Sequence, residues 1–193
     1  MSFVGGVGYS NIDLIYSGLD RLPDKGEEIF ARGFSMQFGG GIPATMINLS
    51  RLGVESRIIT FAGHDLFSEF VKKTLNSYPV KTVNLYKGNK MPVVLSSTLL
   101  YCGDRSFISY TDGMDLNDAV MDEVYENLKG AYVVDMHVGF LDVYKRLKKD
   151  GCIQIFDTGW EDDLTLEKYR DYLEIADYYI PNQKEAMKIT GTS

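Results

Sequence analysis

From Arg57 onward the chain alternates short apolar runs with amphipathic runs, and this alternation restricts the fold more than any other feature of the sequence. Arg57-Ile58-Ile59-Thr60-Phe61-Ala62 reads as a buried strand, and Leu66, Phe67, Phe70, Val71 and Leu75 follow at helical spacing. The pattern then repeats. A helix through Val120, Val124 and Leu128 precedes a strand from Ala131 to Met136, and a helix through Leu141, Tyr144 and Leu147 precedes a strand from Ile153 to Phe156. A helix through Leu166, Tyr169 and Leu173, a strand from Tyr178 to Ile180 and a last helix from Asn182 complete the series. Strands separated by helices pair in parallel through crossovers, so the expected architecture is α/β, a parallel sheet covered on both faces. A short apolar strand at residues 2–8 joins it, and 193 residues with 45% hydrophobic content suffice to bury one full core.

Two stretches break the rhythm. Gly26 to Phe38 reads as extended, and Met91 to Tyr101 with Arg105 to Tyr110 reads as a hairpin turning at Cys102-Gly103-Asp104. Neither suits a parallel sheet, and together they are expected to form a separate small β layer.

Between these regions, Gly39-Gly40-Gly41 runs into Ile42-Pro43, which opens a helix. Met46, Leu49 and Leu52 give it an apolar stripe, and Gly53 ends it. Successive glycines let backbone approach a ligand where a Cβ would clash. They also make an ordinary strand-to-helix turn. Near the start, Gly6-Val7-Gly8-Tyr9-Ser10-Asn11 puts asparagine where a dinucleotide fingerprint needs its third glycine, and Ile12, Leu14 and Tyr16 alternate as in a strand. A nicotinamide-dependent enzyme is therefore disfavoured. A formal net charge of −7, with basic residues only in short clusters such as Lys145, Arg146, Lys148 and Lys149, argues against nucleic-acid or anionic-membrane partners. No leader pattern and no spanning apolar run of roughly 18 residues is seen, so a soluble cytoplasmic protein is expected. Cys102 and Cys152 lack metal or disulfide spacing and are expected to be reduced and structural.

The ordered series Gly8-Tyr9-Ser10-Asn11-Ile12-Asp13, Pro23, Gly26, Gly39-Gly40, Leu52-Gly53, Gly63-His64-Asp65, the β-rich insertion, and Ala176-Asp177-Tyr178-Tyr179-Ile180-Pro181-Asn182-Gln183-Lys184-Glu185 with Thr190-Gly191 resembles the ribokinase-like (PfkB) carbohydrate kinases over essentially the whole chain. The resemblance implies a ribokinase-like three-layer fold with an inserted lid, at about 26–38 and 91–110, over the acceptor and available to pair two subunits as a homodimer. It implies ATP- and magnesium-dependent phosphorylation of a sugar or nucleoside hydroxyl. Asp13, placed at the end of the first strand, would anchor a sugar diol, with Asn11 beside it and the amides of Gly39, Gly40 and Gly41 against the sugar. Asn182 and Glu185 match an N-x-x-E element tied to magnesium and phosphate, and the same spacing also makes a helix capping box. His137, at the carboxyl end of a strand, stands where open α/β sheets bind ligands, although a lone histidine also serves structure.

The departures are specific. Ala44 occupies a position where the family carries an asparagine substrate contact, leaving Thr45 or Asn48 to replace it, and Ser68 stands in place of a turn glycine. No Gly-Ala-Gly-Asp motif follows, so the catalytic base is expected beyond residue 193 and the 193-residue chain alone is expected to be inactive. Were a base hidden within it, Asp65, Asp112 and Asp157 would be the first candidates. The competing reading is a complete, non-catalytic sugar- or nucleoside-binding module.

Overall fold

The computed structural model describes residues 2–192. In chain order its elements are β1 (Phe3–Val7), β2 (Asn11–Ser17), β3 (Gly33–Gly39), α1 (Gly41–Arg51), β4 (Ser56–Thr60), α2 (Leu66–Asn76), β5 (Lys81–Asn84) and β6 (Val94–Tyr101). There follow β7 (Asp104–Tyr110), α3 (Asp118–Leu128), β8 (Ala131–Met136), α4 (Leu141–Lys149), β9 (Ile153–Phe156), α5 (Leu166–Ile175), β10 (Tyr178–Tyr179) and α6 (Gln183–Thr190). Six strands form a wholly parallel sheet in the order β10-β9-β8-β1-β4-β5.

Alternate residues of the central strands feed two separate cores. Phe3, Val7 and Ile59 point to one face, where Val124, Leu128, Val143, Leu147 and Tyr169 of α3, α4 and α5 cover them. Val4 and Ile58 point to the other, under Met46 and Ile47 of α1 and Val71 and Leu75 of α2. Each such side chain taken wholly from water contributes about 1.5–3 kcal/mol, and this accounts for the layered order of the elements.

Three helical faces differ from those expected. In α1 the buried residues are Ile42, Pro43, Met46, Ile47 and Ser50, while Leu52 is 80% exposed beyond the helix end. Leu66 is 79% exposed and Leu166 is also exposed, because each is the first residue of its helix and projects beyond the packed turn. The strand β5 went unpredicted, being a short edge strand whose Lys81-Thr82-Val83-Asn84 carries little apolar signal. Ser68 does the work of the absent turn glycine with its hydroxyl. It accepts from Gly63 N at 2.8 Å and donates to Asp65 Oδ2 at 2.6 Å, and Asp65 caps α2.

The second sheet has the order β3-β2-β6-β7, with β2 antiparallel to β3 and parallel to β6. Its membership corrects the placement of Asp13. Asp13 does not end the first strand; it lies inside β2, opposite Gln37 on one side and Ser96 on the other. In the segment expected to be extended from Gly26, strand begins only at Gly33, and residues 25 and 26 form a turn. Register assigns the two faces. Phe38, Ile12 and Leu95 lie in one row, Met36, Leu14 and Ile108 in line with the next, and all project from the same side. Ile12, Leu14, Phe38 and Leu95 pack on the α1 and α2 core. Farther out the same face is bare, with Phe34, Met36, Ile108 and Tyr110 exposed. The opposite face carries the polar row Gln37, Asp13, Ser96 and Ser109, in which the two serine hydroxyls lie 2.8 Å apart.

Candidate functional site

A cavity of about 250 Å³ opens at the carboxyl ends of β8 and β9, bounded by Gly41 and Thr45 of α1, Asp135, His137, Asp157 and Ile180. It sits where the strand ends of an open parallel sheet leave a crevice. The α1 helix begins here without a side-chain cap, and no acidic residue occupies its first turn. The first-turn amides of Gly41 and Ile42 therefore have no intrahelical acceptor and can donate to a ligand oxygen. Gly40 makes this approach possible: its φ is 103°, and an added Cβ would stand 2.8 Å from the Tyr9 carbonyl oxygen.

The side chains of the cavity are mainly acceptors. Burial pushes Asp135 up to about 6, opposed by the nearby Thr45 hydroxyl and reinforced by the charge of Asp157. Thr45 gives its hydrogen bond to the Gly41 carbonyl at 3.1 Å. Burial raises Asp157 as well, and the Glu185 charge adds to the shift. Burial lowers His137, keeping its ring neutral near pH 7, although its contact with Val138 O works the other way. That contact, 2.8 Å from Nδ1 to a carbonyl that can only accept, fixes the proton on Nδ1 and leaves Nε2 as an acceptor.

On the second sheet, Asn11, Asp13 and Gly39 lie together. A Cβ added to Gly39 would stand 2.6 Å from Asp13 Oδ2 and 3.6 Å from Asn11 Cβ. Burial raises Asp13, with the Arg105 charge opposing it. At the start of α6, Asn182 Oδ1 accepts from Glu185 N and Glu185 Oε2 accepts from Asn182 N, each at 3.0 Å, completing the capping box.

The structure thus groups the expected residues into a second-sheet set, Asn11, Asp13 and Gly39, a cavity set, Gly41, Thr45 and His137, and the α6 pair, Asn182 and Glu185, with Gly40 joining the first two. Asn48 is exposed and does not line the cavity. Asp65 is committed to its cap, and Asp112 accepts from Met91 N and the Tyr110 hydroxyl, so both serve structure. Asp135, Gln37, Ser96 and Ser109 were missed. The rule that drew attention to His137 applies equally to Asp135 two residues earlier, and period-two counting from Asp13 would have reached Gln37 only once the pairing partner was known.

The family model described as pfkB family carbohydrate kinase matches residues 1–193. A Pyrococcus horikoshii protein, named provisionally as a sugar kinase, is 35% identical over 92 residues, 45% of this chain and 30% of that protein. Among solved structures, ribokinase from Giardia lamblia superposes with a TM-score of 0.82 at 19% identity, covering 100% of this chain and 60% of that one. Arabidopsis thaliana ribokinase, solved with ribose and ATP, gives 0.76 at 22% identity over 99% of this chain and 64% of that one. The chain thus spans less than two thirds of the length of each of these relatives.

Proposed function

The chain belongs to the pfkB family of carbohydrate kinases, and on that premise we propose that residues 1–193 form the acceptor-binding side of an enzyme that moves the γ-phosphoryl group of ATP to a sugar or nucleoside hydroxyl. The observation that carries this reading is the meeting of a polar lid face centred on Asp13 with an acceptor-lined cavity at the strand ends, linked through Gly39-Gly40-Gly41. In this reading an ionised Asp13 accepts from two hydroxyls of the acceptor, Asn11 supplies a donor and an acceptor beside it, and the amides of Gly41 and Ile42 meet a sugar oxygen. His137 accepts through Nε2. Phosphoryl transfer of this kind depends on positioning and charge neutralisation.

Asn182 and Glu185 suit magnesium indirectly. One Glu185 oxygen is committed to the cap, its other oxygen remains, and among the described residues no group of three His, Cys, Asp or Glu side chains could enclose a metal ion. Magnesium retains much of its water shell and is commonly held by one or two carboxylates plus phosphate, so Glu185 would act through bound water. The metal would neutralise phosphate charge.

The lid is proposed to pair two copies of the chain. The bare outer part of its apolar face, with Phe34 and Ile108 62% and 72% exposed, continues a face that is covered nearer the body. Sedimentation at micromolar concentration is expected to show a dimer that Ile108→Lys dissociates, and a strict monomer would exclude it.

Among the described residues no helix is long and apolar enough to cross a membrane. The kinase reading is tested by incubating the full-length protein with magnesium-ATP and a panel of sugars and nucleosides. Acceptor-dependent ADP release at ordinary enzyme rates, on the order of 1 to 10³ per second, is expected. Saturable binding without ADP release from any acceptor would favour the binding-module reading.

A further inference from the structure

The cavity is built to accept hydrogen bonds and carries negative charge. Asp135 and Asp157 face it, His137 offers Nε2 as an acceptor, and no lysine or arginine lines it. Asp135 is the side chain whose chemistry is least accounted for. Within the described residues no backbone N–H donates to its carboxylate, and the Thr45 hydroxyl, which can reach it, is shared with Gly41 O at 3.1 Å. A half-buried carboxylate with one shared donor keeps acceptor capacity for a partner from outside the fold. It is fixed in place by its position on β8, where its backbone pairs with Gly6 of β1 and Ile155 of β9. Arg105, the cation whose charge reaches Asp13, lies exposed on β7 and is not part of the cavity wall.

We propose that Asp135 is a specificity-determining residue that accepts a hydrogen bond from the acceptor molecule and restricts the cavity to neutral polyols and amine-bearing sugars, excluding sugar acids. This rests on the kinase reading for its reaction but on the cavity alone for its selectivity. A hydroxyl or ammonium group supplies a further donor to Asp135. A carboxylate or phosphate placed there meets two like charges, and among the described residues no lysine or arginine lines the cavity to offset them, so like-charge repulsion disfavours it.

The test uses the full-length protein and matched triples, each a sugar, its amino-deoxy analogue and the corresponding aldonic or uronic acid. ADP release gives kcat/KM, and calorimetry gives affinity for the same compounds. The neutral or amino member is expected to exceed the acid by at least about 100-fold in both readouts. Asp135→Asn is expected to narrow that gap about tenfold or more while its unfolding temperature at pH 8 stays at or above that of the unaltered protein, because a strained carboxylate has been removed. A sugar acid used or bound within about tenfold of its neutral counterpart overturns the proposal. An unchanged gap in Asp135→Asn overturns the role of this residue. Selective binding of neutral sugars without ADP release from any of them supports the selectivity and instead removes the kinase reading.

Discussion

Asp13→Ala is expected to weaken acceptor binding by roughly 1.5–3 kcal/mol, about 10- to 150-fold in Kd, with little change in stability. The carboxylate sits inside β2 on the polar face of the second sheet, beside Gly39, where its two oxygens can accept from adjacent hydroxyls. Burial raises its pKa, and the Arg105 charge offsets part of the shift. Removing the group takes away charge-assisted bonds to ligand without opening a packed core, since Gln37 and Ser96 flank it rather than apolar side chains. Calorimetry checks the affinity and a urea midpoint checks the fold. Unchanged affinity in a folded variant would remove Asp13 from the site. Asp13→Asn should fall between the two, retaining an acceptor but losing the charge.

Gly40→Ala is expected to destabilise the protein by roughly 2–4 kcal/mol and to abolish acceptor binding in whatever remains folded. Two costs coincide at this position. Its φ of 103° is unfavourable for any residue with a Cβ, and that Cβ would lie 2.8 Å from the Tyr9 carbonyl oxygen and 3.2 Å from the ring of Pro43. Relief would require moving the β1–β2 connection away from the start of α1, which are the segments that hold the second-sheet set against the cavity set. Gly41→Ala provides the control. Nothing lies within 4 Å of a Cβ at Gly41, so its effect on stability should stay within about 0.5 kcal/mol. Equal urea midpoints for the two variants would show that the backbone around Gly40 relaxes freely.

The parallel sheet was legible because its signal is repetitive: strands such as Ile153–Phe156 are marked by the amphipathic helices on either side of them. Spacing alone misjudged Leu52 and Leu66, since a residue one step beyond the packed turn keeps the period while losing the neighbour. The β1–β2 break was harder to see. Only Gly8-Tyr9-Ser10 separates the two strands, and Ser10 is buried against the Thr60 hydroxyl at 2.9 Å, so no polar loop announces that the chain has changed sheets. That is why Asp13 was read as a strand end when it lies inside β2 of the second sheet. The capping reading of Asn182 and Glu185 was legible because it is local, completed within one helical turn. Asp135 was not, because its significance depends on Thr45, ninety residues away in the chain, whose hydroxyl it shares with Gly41 O.

Hydrogen exchange of the full-length protein with and without a phosphorylated acceptor, identified from the sugar panel, tests most directly whether the lid and the strand-end cavity form one site. An acceptor held between them should slow exchange in β2 and β6 of the lid and, in the same experiment, at Gly41 and Ile42 and at the β8 end near His137. The lid amides should show the larger change, because its small sheet exposes an edge and a bare apolar face. Protection confined to the lid or to the strand ends, or appearing in neither while the acceptor is turned over, would contradict the site described for Asp13, Gly40 and His137.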